Sequence, residues 1–154
     1  MIFRKLRVQA FNRFKASFEI PLDLGGIVFV EGVNLDGQGT ASSNGAGKSL
    51  AVIEAPLWCL FGKMARYGDR AVGDQVSHPL NGADVTIEME HGGVPLVFRR
   101  TRAPKGKGTF EVTVPISKDV QRRADDVAEI LGLDYRSFRA AVVVSGDDAL
   151  ASST

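Results

Sequence analysis

The hydrophobic positions of this chain change period several times, and each change predicts an element. Leu6, Val8 and Ala10 alternate with Lys5, Arg7 and Gln9, the period of two expected of a strand with one buried face. Ala16-Ser17-Phe18-Glu19-Ile20 reads as its hairpin partner, with Asn12 and Arg13 near the turn. Beyond Pro21 and the Gly25-Gly26 pair, Ile27-Val28-Phe29-Val30 is apolar at every position and bounded by glycines, which predicts a buried central strand. Residues 32–47 are rich in Gly, Asn, Ser and Asp and predict a loop. A helix is expected over about 48–61. Only Glu54 interrupts its apolar surface after Ser49, so it should be buried on most sides, and Pro56 should kink or shorten it.

Residues 62–82 carry no readable period. Three alternating segments follow, around Val85-Ile87-Met89, Leu96-Phe98 and Phe110-Val112-Val114, and predict an antiparallel meander. Ser117 is a plausible N-cap with Asp119 in the first turn of a helix whose face is Val120, Ala124, Val127, Ala128 and Leu131, stopped by Gly132. A second short helix, about 135–141, leads into Val142-Val143-Val144. The expected architecture is α/β: a mixed sheet around a central helix, with an antiparallel meander on one side and a small helical region before the C-terminus.

Composition narrows the setting. The 154 residues, 44% hydrophobic and 24% charged, match one globular domain. A single cysteine, Cys59, excludes an intramolecular disulfide, and a reducing cytoplasm is the default expectation. A net charge of +1 argues against a wholly basic nucleic-acid coat. No apolar run approaches a membrane span, and the N-terminus lacks a signal-peptide core, so no membrane partner is expected.

The segment Asn44-Gly45-Ala46-Gly47-Lys48-Ser49 carries the chemistry. Glycines let successive backbone N–H groups turn toward phosphate oxygens. Lys48 is placed to reach the outer phosphates of a nucleotide, and the Ser49 hydroxyl to hold Mg²⁺. A helix starting there would point its free N–H groups and positive dipole end at the anion. The strict pattern G-x-x-x-x-G-K-[ST] asks for glycine at position 42, where Ser42 stands, and Val33 to Ser43 look inserted after Gly32. The competing bland reading is a glycine-rich turn with an incidental lysine. The strand–loop–helix context favours ATP or a related nucleoside triphosphate.

The order of marks resembles the N-terminal ATPase lobe of the SMC-like DNA-repair ATPases, the bacterial SbcC proteins and the large subunits of phage recombination exonucleases. The marks are Phe11-Asn12-Arg13-Phe14, Val30-Glu31-Gly32-Val33-Asn34, Asn44 to Ser49, and Leu57-Trp58-Cys59-Leu60-Phe61-Gly62-Lys63. Phe98-Arg99-Arg100, Ile130-Leu131-Gly132-Leu133-Asp134 and Phe138 also fit, so the resemblance spans nearly the whole chain. It implies that residues 1–154 form a P-loop ATPase lobe to which a coiled coil and a C-terminal lobe would be added. It further implies two heads sandwiching ATP, a nuclease subunit of SbcD type, DNA in the full complex, and a cytoplasmic setting in a bacterial cell or a phage-infected host. On that resemblance Asn44, Gly45, Ala46, Gly47, Lys48 and Ser49 bind nucleotide, Ser49 meets the metal, and Arg13 lies near the nucleotide. The family's metal-contacting glutamine has no match at Ser145, and neither Gln75 nor Gln121 fits by position.

Other readings stay open. Asp147 after Val142-Val143-Val144 would make a stand-alone P-loop NTPase or nucleotide kinase if it served as the Mg²⁺ acid; the blander reading is a polar tail. A degenerate nucleotide-sensing module is a third, non-enzymatic reading. Arg99, Arg100, Arg102, Lys105 and Lys107 form a basic stretch whose centre reads as a hairpin tip. Arg102, Lys105 and Lys107 are candidate DNA contacts, against the simpler reading of a solvated charge run. His78 and His91 have no neighbouring ligand that would suggest a metal, and Cys59, Trp58 and Phe61 read as core.

Overall fold

The computed structural model describes residues 1–31, 47–68, 72–114 and 126–142. Five strands, β1 (Ile2–Gln9), β2 (Phe18–Pro21), β3 (Ala83–His91), β4 (Val94–Arg102) and β5 (Gly108–Thr113), form one sheet in the order β2-β1-β3-β4-β5. Every pairing is antiparallel. The alternation read from the sequence becomes one apolar and one polar face. Leu6 lies opposite Ile87, Ile87 opposite Phe98, and Phe98 opposite Val112, a buried row across four strands. The neighbouring row on the other face is Glu19, Arg7, Thr86, Arg99 and Glu111. Arg99 holds Asp84 there through two hydrogen bonds of 3.1 and 2.7 Å. A register shift between Phe3 and Lys5 changes the parity of β1. It turns Phe3 to the core side, where it meets the Phe138 ring edge-on at 6.0 Å.

One helical rod covers the apolar face. It begins at Lys48, passes through a π-helical turn (Leu50–Glu54) and continues as α1 (Ala55–Phe61), which packs across β3 and β4. The Ala55 N–H donates to the Leu50 carbonyl, five residues back. The wider turn answers Pro56. Proline has no N–H for an α-type bond and its ring collides with the carbonyl four residues earlier, so widening the preceding turn keeps the rod continuous without a break. Glu54, only 5% exposed, is neutralised locally: its carboxylate accepts from the Ala65 and Arg66 N–H groups at 2.6 and 3.2 Å and from Arg66 Nε at 3.1 Å.

The C-terminal end of α1 is closed by three groups. Gly62 adopts a left-handed φ of +68° and donates its N–H to the Trp58 carbonyl at 2.8 Å. Arg100 donates Nε to the Cys59 carbonyl at 2.8 Å and Nη2 to the Leu60 carbonyl at 3.1 Å, with its guanidinium 4.3 Å over the Phe110 ring. Burial lowers the pKa of this guanidinium. Two further helices, α2 (Asp126–Leu131) and α3 (Tyr135–Val142), lie beyond. Gly132, at φ +67°, ends α2 where the sequence predicted, and the Phe138 ring of α3 meets Phe61 at 5.3 Å.

The α/β class and the antiparallel meander expected from the pattern are present. Two expectations are corrected. The sheet of the described residues is antiparallel throughout rather than mixed. Residues 27–30 are not a buried central strand: they lie outside the sheet with no regular secondary structure, Ile27 88% and Phe29 92% exposed. A strand apolar on both faces needs a paired edge and two covering layers, and no described residue supplies them. Ser117, Asp119, Gln121, Val143, Val144, Ser145 and Asp147 lie outside the described residues. No helix among the described residues is long and apolar enough to cross a membrane.

Candidate nucleotide-binding site

Gly47, Lys48 and Ser49 stand at the N-terminal end of the rod that α1 completes; Ser42, Asn44, Gly45 and Ala46 lie outside the described residues. The helix starts on the motif itself, because the Gly47 carbonyl already accepts the Ala51 N–H at 2.9 Å. Lys48 and Ser49 therefore occupy its first turn, where backbone N–H groups have no carbonyl within the helix to bond and the helix dipole is positive. The Leu50 side chain behind them is buried, which fixes the turn to the core.

The first hairpin turn comes up against this point. Gly47 has a φ of +85°, a conformation that only glycine adopts without strain. A Cβ there would stand 2.9 Å from Phe14 Cζ, 3.2 Å from Phe14 Cε1 and 3.5 Å from Arg13 Cδ. The glycine is thus required twice, by its backbone angle and by the closeness of Phe14. The turn that delivers Phe14 and Arg13 is tied down on several sides. Phe11 is fully buried and meets the Trp58 ring of α1 at 5.4 Å. The Phe14 N–H donates to the Phe11 carbonyl at 3.0 Å, and the Phe14 and Phe18 rings pack edge-to-face at 4.9 Å. Asn12, at φ +53°, donates its N–H to the Val76 carbonyl and its Nδ2 to the Gln75 carbonyl, both at 2.6 Å. Ala10 is also left-handed, at φ +51°.

Arg13 and Gly47 are thirty-four positions apart in the chain and adjacent in space. The contribution of Phe14 was not legible in advance; the Phe-x-x-Phe spacing was visible, but not which ring would face the glycine loop. Gln75 meets this turn through its backbone carbonyl, which accepts from Asn12 Nδ2.

The basic stretch divides. Arg99 is spent on Asp84, which raises the Arg99 pKa, and Arg100 on the end of α1. Arg102 ends β4 opposite Ala83 and Gly108. Lys105 and Lys107 are exposed at the β4–β5 turn, the hairpin tip that the sequence predicted. Cys59 is fully buried, its Sγ donating to the Val85 carbonyl at 3.2 Å, and burial pushes its pKa up to about 12, so it is a packing residue and not a nucleophile. His78 Nδ1 accepts the Leu80 N–H at 3.3 Å within a local turn. Among the described residues no group of three or more His, Cys, Asp or Glu is placed to hold a metal.

No family model matches the chain, and no curated protein matches it.

Proposed function

We propose that the chain is an ATP-binding lobe of P-loop type, the N-terminal lobe of an SbcC-like ATPase that drives a DNA nuclease in double-strand-break repair or phage recombination. The observation that carries this reading is the meeting of Arg13 with a left-handed Gly47 at the start of a helix that begins Gly47-Lys48-Ser49. A glycine held in that conformation, with a lysine and a serine on the next turn, fits the phosphate chain of a nucleotide.

In this reading Lys48 binds the outer phosphates as a point charge and Asn44, Gly45, Ala46 and Gly47 line the loop. Ser49 offers its hydroxyl to Mg²⁺, which when bound neutralises charge on the phosphate oxygens. Arg13 adds positive charge from the side. Hydrolysis belongs to the assembled protein: a second ATPase head and a C-terminal lobe complete the site, a nuclease subunit of SbcD type receives the motion, and Lys105 and Lys107 with Arg102 touch DNA phosphates. The exposed apolar residues 27–30 agree with a lobe that has a further covering surface to gain.

Titration of the full chain with MgATP tests the reading. Lys48→Ala should weaken binding by about tenfold or more, the scale of one charge-assisted phosphate contact. Equal affinity of the two proteins overturns the proposal. Sustained turnover by the chain alone would favour instead a self-sufficient NTPase using Asp147.

A further inference from the structure

We infer that Phe14 is a positioning residue for the helix start at Gly47: its ring is the backstop that holds Gly47 in the left-handed conformation from which Lys48 and Ser49 enter the helix. The functional half of this inference rests on the reading of that helix start as a phosphate site; the structural half does not.

Three observations carry it. The first is the approach itself. Phe14 Cζ and Cε1 occupy the space that a side chain at residue 47 would take, 2.9 and 3.2 Å from the Cβ position. Backbone and ring therefore fit each other in one arrangement, and displacing either opens a gap or a collision. The second is the anchoring of the ring. Phe14 is braced by Phe18, and its turn is held to α1 by Phe11 on Trp58 and to residues 75 and 76 by Asn12. A contact made by so restrained a turn can fix a loop, where a contact from a free loop could not. The third is strain. Ala10 holds a left-handed φ of +51° at the start of this turn, a conformation that residues with a Cβ rarely adopt. The surrounding bonds over-determine it, and the turn they hold in place is the one that meets Gly47.

The arrangement also explains why the two aromatic residues of Phe11-Asn12-Arg13-Phe14 are not equivalent. Phe11 belongs to the core, fully buried against α1. Phe14 is only partly buried and sets its ring between Gly47 and Phe18.

A double-mutant cycle on the full chain tests this, with Phe14→Leu, Gly47→Ala and the pair, followed by MgATP affinity and by hydrogen exchange of the Ala51 amide, whose bond to the Gly47 carbonyl reports the helix start directly. Phe14→Leu alone should weaken MgATP binding by about fivefold to tenfold and speed exchange at Ala51 by a similar factor, the usual range for touching residues. In the Gly47→Ala background the same substitution should act in the opposite direction, slowing exchange and restoring part of the affinity, because the smaller side chain relieves the collision. A general loss of packing cannot reverse sign in this way. Exchange in β3 and β4 should stay unchanged in Phe14→Leu. Additive effects, or wild-type exchange at Ala51 in Phe14→Leu, overturn the inference. If neither the wild type nor Lys48→Ala binds MgATP, the nucleotide reading fails, while the exchange cycle still decides whether Phe14 positions the helix start.

Discussion

Two apolar stretches of this chain have opposite surroundings. Ala55-Pro56-Leu57-Trp58-Cys59-Leu60-Phe61 and Ile27-Val28-Phe29-Val30 both lack charged residues, and both read as interior. The first is interior: Leu57 and Leu60 are fully buried and Trp58 is 3% exposed. The second stands in solvent at Ile27 and Phe29. Composition does not separate them; the partners within the described chain do. The helix of the first stretch satisfies its own backbone and needs only a surface, which the apolar face of the sheet supplies. An extended segment needs a paired edge for its N–H and C=O groups as well as two covering layers. Apolar sequence states a demand for burial, and the topology decides whether the same residues can meet it.

The largest test breaks the buried side of the comparison. Trp58→Ala removes the ring that joins α1 to Phe11, and with it the link between the helix and the turn that carries Arg13 and Phe14. A loss of about 3–5 kcal/mol is expected from the cavity and the lost transfer energy, measured by urea unfolding. A loss below about 1 kcal/mol would mean that this contact does not organise the core.

The next test uses acid–base chemistry on the same helix. The folded chain holds the Cys59 proton to about 12, because ionising a thiol among Val85, Phe98 and α1 costs the solvation of its charge. The unfolded thiol ionises near 8.5–9. Below that range both states carry the proton and Cys59 adds no pH dependence. As pH rises through it the unfolded state releases its proton first, so stability falls, by roughly 4 kcal/mol when the folded value is reached. The difference in unfolding free energy between wild type and Cys59→Ala should therefore be flat to about pH 8 and slope downward above 9. A flat difference up to pH 11 would show Cys59 to be open to solvent.

Much of this was legible in sequence, and what was not has identifiable causes. Period-two alternation at Leu6, Val8, Val85, Ile87 and Phe98 gave the meander because an antiparallel sheet with one buried face writes that pattern directly. Gly62 and Gly132 marked helix ends because left-handed residues there favour glycine. Pro56 was recognised as a break, but its resolution into a π-helical turn was not, since propensity reports the missing N–H and not how neighbours rearrange around it. The basic stretch read as one group of charges, and register divided it: Arg99 faces Asp84 across the sheet, while Arg100, one residue on, points to the other face and the end of α1. At the candidate site, the helix start at Gly47-Lys48-Ser49 was readable from spacing. Phe14 was not, because a contact between residues 14 and 47 depends on two turns folding onto the same spot.

The smallest expected effect is the most informative about the exposed stretch. Phe29→Ser removes a large apolar side chain that is 92% exposed, so it has almost no burial to lose. Unfolding free energy should change by less than about 0.5 kcal/mol, the range of surface substitutions that break no contact. Self-association should fall, because an exposed run of four apolar residues is an adhesive edge. Sedimentation at several concentrations reads the second effect independently of the first. A loss above about 2 kcal/mol would place Phe29 in a core and erase the contrast with Trp58. Unchanged stability together with weaker association would show that residues 27–30 find their burial against a surface outside this fold.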